Sequence, residues 1–407
     1  MNITTKNYQN LFLATSLLLS LCCGAFLFDS TDNLLKKLLI LFFVASLLSN
    51  RPTLCNLSSF KDFIAPWLPW CLLFVGVGYI SHGSKGLAYF FQLCILLTLF
   101  GITFSKVYFS RLVVVRGLAL NIIFISVPIV LYVLIYGVKT EFLGNNKNIL
   151  IAGLTLMSVI VVTYFLQMRK SCSSFDKFLI TVACACSSVA IVLSEVRLAM
   201  LGIFGALFVL LIWSKKIFSF KALGLFALVM LFFCLGFMAT GRLQQGYHDL
   251  IMWENGNSYS SWGIRIELWK LAINASREHF LFGWGFKPYN LLLESGYFTS
   301  ISNYCAQHFH NDFLNSLVSY GLVGTIGWLL TICGLFSQTR KDPLRLVLIS
   351  SMVSMGLVDC FWTFSHFVLF LFVILWGLLY FSDPSRIKYT HISLHRHISK
   401  GVTPSMQ

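Results

Sequence analysis

The chain has 407 residues, of which 57% are hydrophobic and only 11% charged, and its mean hydropathy is +0.79. A soluble domain cannot hide that much apolar surface, so the composition points to a polytopic membrane protein. The formal net charge of +15 requires no nucleic-acid partner, because most of the basic residues fall in short segments between apolar runs.

A helix needs roughly 20 apolar residues to cross the hydrocarbon, since every backbone amide must be bonded internally. A membrane barrel would show short alternating segments instead of these continuous runs. The fold class expected is therefore an all-α polytopic membrane protein of about twelve transmembrane helices. In chain order the predicted spans are 11–28, 34–49, 63–80, 87–105, 112–136, 149–168, 175–194, 198–213, 217–240, 313–336, 344–361 and 364–381. Lys36 and Lys37 crowd the second, and only a tight Glu195-Val196-Arg197 turn separates the seventh from the eighth.

Orientation follows from the basic residues. With the N-terminus in the cytoplasm, the inner loops hold Arg51 and Lys61, Lys106 and Arg111, Arg169, Lys170 and Lys177, Lys215, Lys216 and Lys221, and Arg340, Lys341 and Arg345. The short outer loops carry far fewer, which is the positive-inside pattern and puts both termini in the cytoplasm. The chain then divides into a membrane bundle at 1–240, a large outer loop at 241–311, further spans at 312–381 and a basic tail at 382–407. That tail, with Arg386, Lys388, Arg396 and Lys400, is suited to lie on anionic lipid.

The first apolar run is read as a span and not as a cleaved signal: its only basic flank is Lys6 and no Ala-x-Ala site follows. The twelve cysteines mostly sit singly along the spans and read as small packing residues, without disulfide framework or metal spacing. No Gly-rich nucleotide loop stands in a strand–helix context. That argues against a nucleotide-sugar enzyme or an ATP-driven pump, and leaves the substrate itself or a gradient as the source of energy.

The outer loop has its own pattern. Residues 252–263 are turn-rich and predicted irregular. From Ile264 to His279 a helix is predicted, with Ile264, Leu268, Leu271 and Ala275 on one face and Arg265, Trp269 and Ala272 on the next. It is too polar to span and is expected at the membrane surface. Phe282-Gly283-Trp284-Gly285-Phe286 then forms a tight turn, and His310-Asn311 stands where the tenth span begins.

His310 is the leading candidate for chemistry. At a helix N-terminus the partial positive charge disfavours the imidazolium, leaving a neutral ring able to accept a proton; the plain alternative is a polar helix cap. His308 and His310 form a His-x-His pair whose side chains would point the same way on an extended segment. A metal would need a third ligand, and Asp312 is the one candidate nearby, so no metal is expected. Arg265 and Arg197 carry permanent charge suited to phosphate. Arg197 sits in the tight hairpin between two apolar helices, with Glu195 as its ordinary partner. Arg242 and Lys287 are weaker basic candidates. Arg116, deep in the fifth span, is expected to snorkel to the cytoplasmic face. Two outward arginines and an outward histidine suit a single chemistry, in which the arginines hold a phosphorylated group and the histidine takes a proton from a hydroxyl. A lipid-linked pyrophosphate donor fits both, and it carries its own leaving group.

Three local patterns resemble the O-antigen ligases, within the wider group of O-antigen ligase and polymerase proteins. Ser194-Glu195-Val196-Arg197-Leu198-Ala199 looks like the family's Ser-x-x-Arg-x-Ala hairpin. Arg265, Trp269 and Ala272 followed by Phe282-Gly283-Trp284-Gly285 look like its loop-helix motif. His310-Asn311 with Leu314, then Tyr320-Gly321-Leu322-Val323-Gly324, looks like its His-Asn-x-x-Leu signature. The layout of spans is similar along the whole length. Val196 departs from the Ser or Thr of many relatives, and His308 is an extra histidine.

The resemblance implies a GT-C-like glycosyltransferase of the bacterial inner membrane, with a large periplasmic loop and no cofactor. It implies transfer of O-antigen from undecaprenyl pyrophosphate to a sugar of the lipid A–core, with inversion. Arg197 and Arg265 would bind the pyrophosphate and His310 would deprotonate the acceptor, with Arg242, Lys287, Trp269, Asn311 and His308 in the substrate site. Trp253, Tyr259, Trp262, Trp284 and Tyr289 would anchor the loop or stack on sugars. The nearest alternative is an O-antigen polymerase, which uses the same donor but commonly shows two sizeable periplasmic loops. A transporter or flippase would place charge or broken helices at mid-membrane.

Overall fold

The computed structural model describes residues 57–72, 94, 97–98, 110–137, 141–142, 145–214, 220–257, 260–285, 288–289, 292, 308–339, 342–362 and 366–382. The first two expected spans, nearly all of the fourth, Tyr259, Lys287 and the basic tail beyond Ser382 lie outside the described residues.

Within them the chain is helical, in chain order α1 (Leu57–Ile64), α2 (Arg111–Tyr136), α3 (Lys147–Met168), α4 (Ser174–Leu193), α5 (Leu198–Trp213), α6 (Phe220–Ala239), α7 (Arg242–Glu254), α8 (Ser261–Glu278), α9 (Asp312–Gln338), α10 (Pro343–Gly356) and α11 (His366–Phe381). A 3₁₀ turn, Ala65–Trp67, follows α1, and a two-residue antiparallel ladder, Glu141–Phe142 with Asn145–Asn146, closes the turn before α3. Helices α2, α3, α4 and α9 are long and apolar enough to cross a membrane, and α6 with α7 passes the same test as a pair bent by 74°. The shorter apolar helices α5, α10 and α11 fall where the eighth, eleventh and twelfth spans are expected.

Helix α3 is apolar on every side, and a helix of that kind belongs at the centre. Its most apolar stretch is 78% buried, against 39% for α2 and for α4. Around it α2 packs on α4, and α10 lies against α5. Gly202 and Gly205 of α5 face Ser351 and Ser354 of α10, small residues that let two backbones approach closely.

One end of the bundle is tied by ion pairs. Arg116 pairs with the start of α4: its Nε lies 2.6 Å from Asp176 Oδ1 and its Nη2 3.1 Å from Oδ2. Asp176 also closes the capping box of α4 with Ser173. Asp342 takes bonds of 2.6 Å from both Arg111 Nη2 and Arg345 Nε. Arg345, expected at an inner loop, is buried with its guanidinium 5.5 Å from the Trp376 ring and 5.2 Å from the Tyr380 ring. A buried charge needs partners of this kind.

The helix at the expected tenth span is broken rather than continuous. Within α9, Gly321 has φ +65 and ψ −166, a region open essentially to glycine alone. The break frees backbone groups, and the turn after α8 satisfies them. Trp284 and Gly285 donate to the Val318 and Ser319 carbonyls at 2.7 Å each, while Leu322 and Val323 donate to Phe280 and Leu281 at 2.8 and 3.2 Å. The Phe282-Gly283-Trp284-Gly285 and Tyr320-Gly321 motifs are thus two halves of one interlock. A Cβ on Gly283 would sit 2.5 Å from the Ser319 carbonyl carbon, and one on Gly321 would strike the backbone of Leu281. Gly283→Ala and Gly321→Ala are each expected to destabilise the protein by about 2–4 kcal/mol, from left-handed backbone strain plus overpacking. Thermal unfolding of the purified protein reads this, and an unchanged midpoint would show that the interlock does not hold the loop.

Candidate active site

The other end of the bundle gathers residues from six elements. The hairpin from α4 to α5 turns at Glu195, whose φ is +57. It places Arg197 as the N-cap of α5. The sequence pairs Arg197 with Glu195, but the side chain turns instead to α7, where its Nη2 lies 3.7 Å from Asp249 Oδ2. The Glu195 backbone carbonyl accepts from Arg242 Nε at 3.3 Å, and Arg242 Nη1 also donates to Gln245. Lys147, the first residue of α3, lies within Coulomb range of both Arg242 and Glu195.

Helix α8 starts at Ser261, capped by Ser260, so it takes in part of the stretch predicted irregular. It buries Ile264, Leu268 and Ala275 of the expected face together with Ala272 of the adjacent one, while Leu271 is only partly buried. That leaves Arg265 half-buried, with its guanidinium 5.9 Å from the Trp262 ring. Burial pushes the Arg265 guanidinium below its ordinary value; the Asp359 carboxylate opposes this and Arg242 adds to it. Burial likewise lowers Arg197, helped by Arg242 and Arg265 and opposed by Asp249. The three arginines therefore share one electrostatic neighbourhood.

His310 stands immediately before Asn311, the N-cap of α9. The His308–His310 segment is not extended: His310 has φ +50, and its amide donates to His308 Nδ1 at 3.2 Å. This local turn brings the two rings to 4.2 Å between centroids. Trp269 of α8 holds the segment by donating from its indole to the Phe309 carbonyl at 3.0 Å. Asn311 accepts from the Leu314 amide at 3.0 Å and donates to the Leu357 carbonyl at 2.9 Å. Both residues, expected to touch substrate, have polar atoms engaged in positioning the histidines.

Asp359 was missed by sequence reasoning. Helix α10 ends at Gly356, so Asp359 lies in the following turn and not within the eleventh span. Its Oδ1 lies 3.3 Å from His310 Nδ1 and 3.8 Å from His308 Nε2. Asn148 of α3 donates to its Oδ2 at 3.3 Å. Burial by itself would raise the Asp359 carboxyl, but the His310 hydrogen bond and the nearby His308, His310 and Arg265 hold it well below the usual carboxylate range. Burial, then His310, pushes the His308 imidazole down to about 4, so His308 is neutral at pH 7. One signal could have found Asp359: it is the only charged residue between Arg345 and Asp383, an isolation that marks function by default in an apolar stretch. Asn148 and Asp249 carry no such signal.

The third group beside the two histidines is thus Asp359. Asp312, the ligand considered from sequence, instead accepts from the Phe361 and Trp362 amides at 3.0 Å each and so fixes the turn that carries Asp359. His308, His310 and Asp359 present ligand atoms within 4.8 Å of one another, a donor set a transition metal can take, although the charge of Arg265 opposes a cation there. Lys287 lies outside the described residues.

An apolar helical bundle with cations and a carboxylate–histidine pair at one end defines the class: a membrane protein with a polar site at the bundle's end. Residues 182–329 match the profile of a family described as O-antigen ligase, which bears out the resemblance read from the motifs and supports assigning the chain to the O-antigen ligase family. No curated protein matches the chain. The matched segment holds Arg197, Arg242, Arg265, His308 and His310, while Lys147, Asn148 and Asp359 fall outside it.

Proposed function

We propose that the protein is an O-antigen ligase, which transfers O-antigen polysaccharide from undecaprenyl pyrophosphate to a terminal sugar of the lipid A–core. On this reading it lies in the bacterial inner membrane with twelve spans and both termini in the cytoplasm. The site faces the periplasm, where a donor can enter from the bilayer. The observation that carries the reading is the hydrogen bond between His310 Nδ1 and Asp359 Oδ1 beside Arg265.

The bond supports the following roles. With Nδ1–H donated to Asp359, Nε2 of His310 is left as an acceptor, and among the described residues it makes no hydrogen bond. It takes the proton of the acceptor hydroxyl as that oxygen attacks the anomeric carbon. The bond from that carbon to the pyrophosphate oxygen breaks, and the electron pair leaves on undecaprenyl pyrophosphate. Arg265 and Arg197 stabilise the charge that develops on the departing group. A single displacement inverts the anomeric centre, and no step draws on ATP.

Incubation of the purified protein with the lipid-linked polysaccharide and lipid A–core tests this. The expected product is polysaccharide joined to the core without ATP and with chelator present. Lengthened polysaccharide still on the lipid carrier would identify a polymerase. Absence of any product from authentic substrates would remove the enzyme reading, and chelator inhibition reversed by added metal would assign His308, His310 and Asp359 to a metal.

A further inference from the structure

Asp249 is the one buried residue of α7 among those described. A helix that lies exposed along its length and buries only a carboxylate is unusual, because Asp is almost never buried unless it is firmly paired. Its partner, Arg197, is brought close by Gly246, one turn earlier, where an added Cβ would lie 3.1 Å from Arg197 Nη1. Yet the pair does not close. The separation is 3.7 Å, beyond a hydrogen bond, and Asp249 Oδ2 and Arg197 Nε and Nη2 are buried with no hydrogen-bond partner among the described residues.

The opposite end of the same bundle shows what a settled pair looks like: Arg116 and Asp176 meet in two hydrogen bonds at 2.6 and 3.1 Å. Against that standard Arg197 retains open donors that an anion with several oxygens can fill. Arg242 and Arg265 add positive charge around it. Helix α7 is set off from α6 by a 74° break, with Gly241 at φ +70. Near the pair Ser260 Oγ donates to the Asp249 carbonyl at 3.0 Å, and one turn on the Trp253 indole donates to Glu267 at 3.1 Å.

We propose that Asp249 is the resident counter-ion of Arg197, holding the guanidinium while the site is empty and giving it up to the phosphate oxygens of the substrate. This rests on the reading of the site as one for a pyrophosphate-bearing donor. Asp249 lowers the affinity of the site for anions, and in return keeps a half-buried arginine from standing uncompensated. It is a positioning residue, acting through Arg197.

The test is a titration of the purified full-length protein with inorganic pyrophosphate, read by thermal stabilisation. Asp249→Asn is expected to tighten binding roughly tenfold, because one competing charge at contact distance is removed. Asp249→Glu, whose longer carboxylate reaches the guanidinium, is expected to weaken it. In an Arg197→Gln background the Asp249→Asn change is expected to have no effect on affinity. A purely structural clamp predicts the opposite pattern: Asp249→Asn unfolds at lower temperature and binds pyrophosphate no better, and that result overturns the proposal. If Asp249→Asn does not fold, binding by Asp249→Glu as tight as wild type overturns it as well. The readout uses neither sugar nor acceptor. Tightening without any ligation therefore supports the counter-ion and counts against the ligase reading alone.

Discussion

His310→Ala is expected to lower ligation by roughly 10²–10⁴-fold, the range that a positioned general base contributes, with the protein still present in the membrane at its normal level. The loss should fall in kcat, since the ring acts on a proton that moves only in the transition state. Asp359→Asn is the informative companion. An amide at 359 no longer demands Nδ1–H from the imidazole, and the tautomer that leaves Nε2 free as an acceptor loses its support. A fall of roughly 10–100-fold in kcat is expected, as for partners that orient a functional histidine, with little change in the KM for donor. Because the two residues act as a unit, the double variant should be no slower than His310→Ala alone. Normal ligation by His310→Ala would sink the assignment and turn attention to His308. Additive losses in the double variant would separate Asp359 from His310 and leave it only to hold the turn.

Much of this site was legible because its charged residues had to stand out from an apolar chain. Arg197 in a tight hairpin, Arg265 on an amphipathic helix and His310 at a helix start were each visible as polar groups where few are tolerated. The periodicity of Ile264, Leu268 and Ala275 gave α8 its buried face, and with it the side on which Arg265 stands. What escaped was tertiary. Asp359 was absorbed into an apolar run because hydropathy averages over a window, and the end of α10 at Gly356 is set by Asp312 pinning the next turn, from 49 and 50 residues away. The choice of Asp249 over Glu195 as partner for Arg197 depends on the bend between α6 and α7, which local pattern does not encode. The break at Gly321 was hidden for the same reason: the apolar run is continuous, and only the docking of the Gly283 turn shows why the helix opens there.

Arg265→Ala is expected to reduce ligation by roughly 10²–10³-fold, comparable to removing one fixed donor from a developing anion. Arg265 lies between the two halves of the site, near enough to Asp359 and Arg242 for each to act on its charge. On the proposed reading its neighbour Arg197 is the second phosphate ligand, and Arg242, already bonded to the Glu195 carbonyl and to Gln245, is the third and weakest. The order of loss should therefore be Arg265 and Arg197 first, with Arg242→Ala well behind. Arg265→Lys separates charge from geometry. An ammonium keeps the field but has no planar fork for two oxygens, so this variant should recover part of the activity and no more. The split between constants decides what the guanidinium does. A fall in kcat and kcat/KM together means a contact made to the pyrophosphate as it departs. A rise in KM with kcat intact means that Arg265 holds the donor equally in ground and transition states, and stabilisation of the leaving group then passes to Arg197.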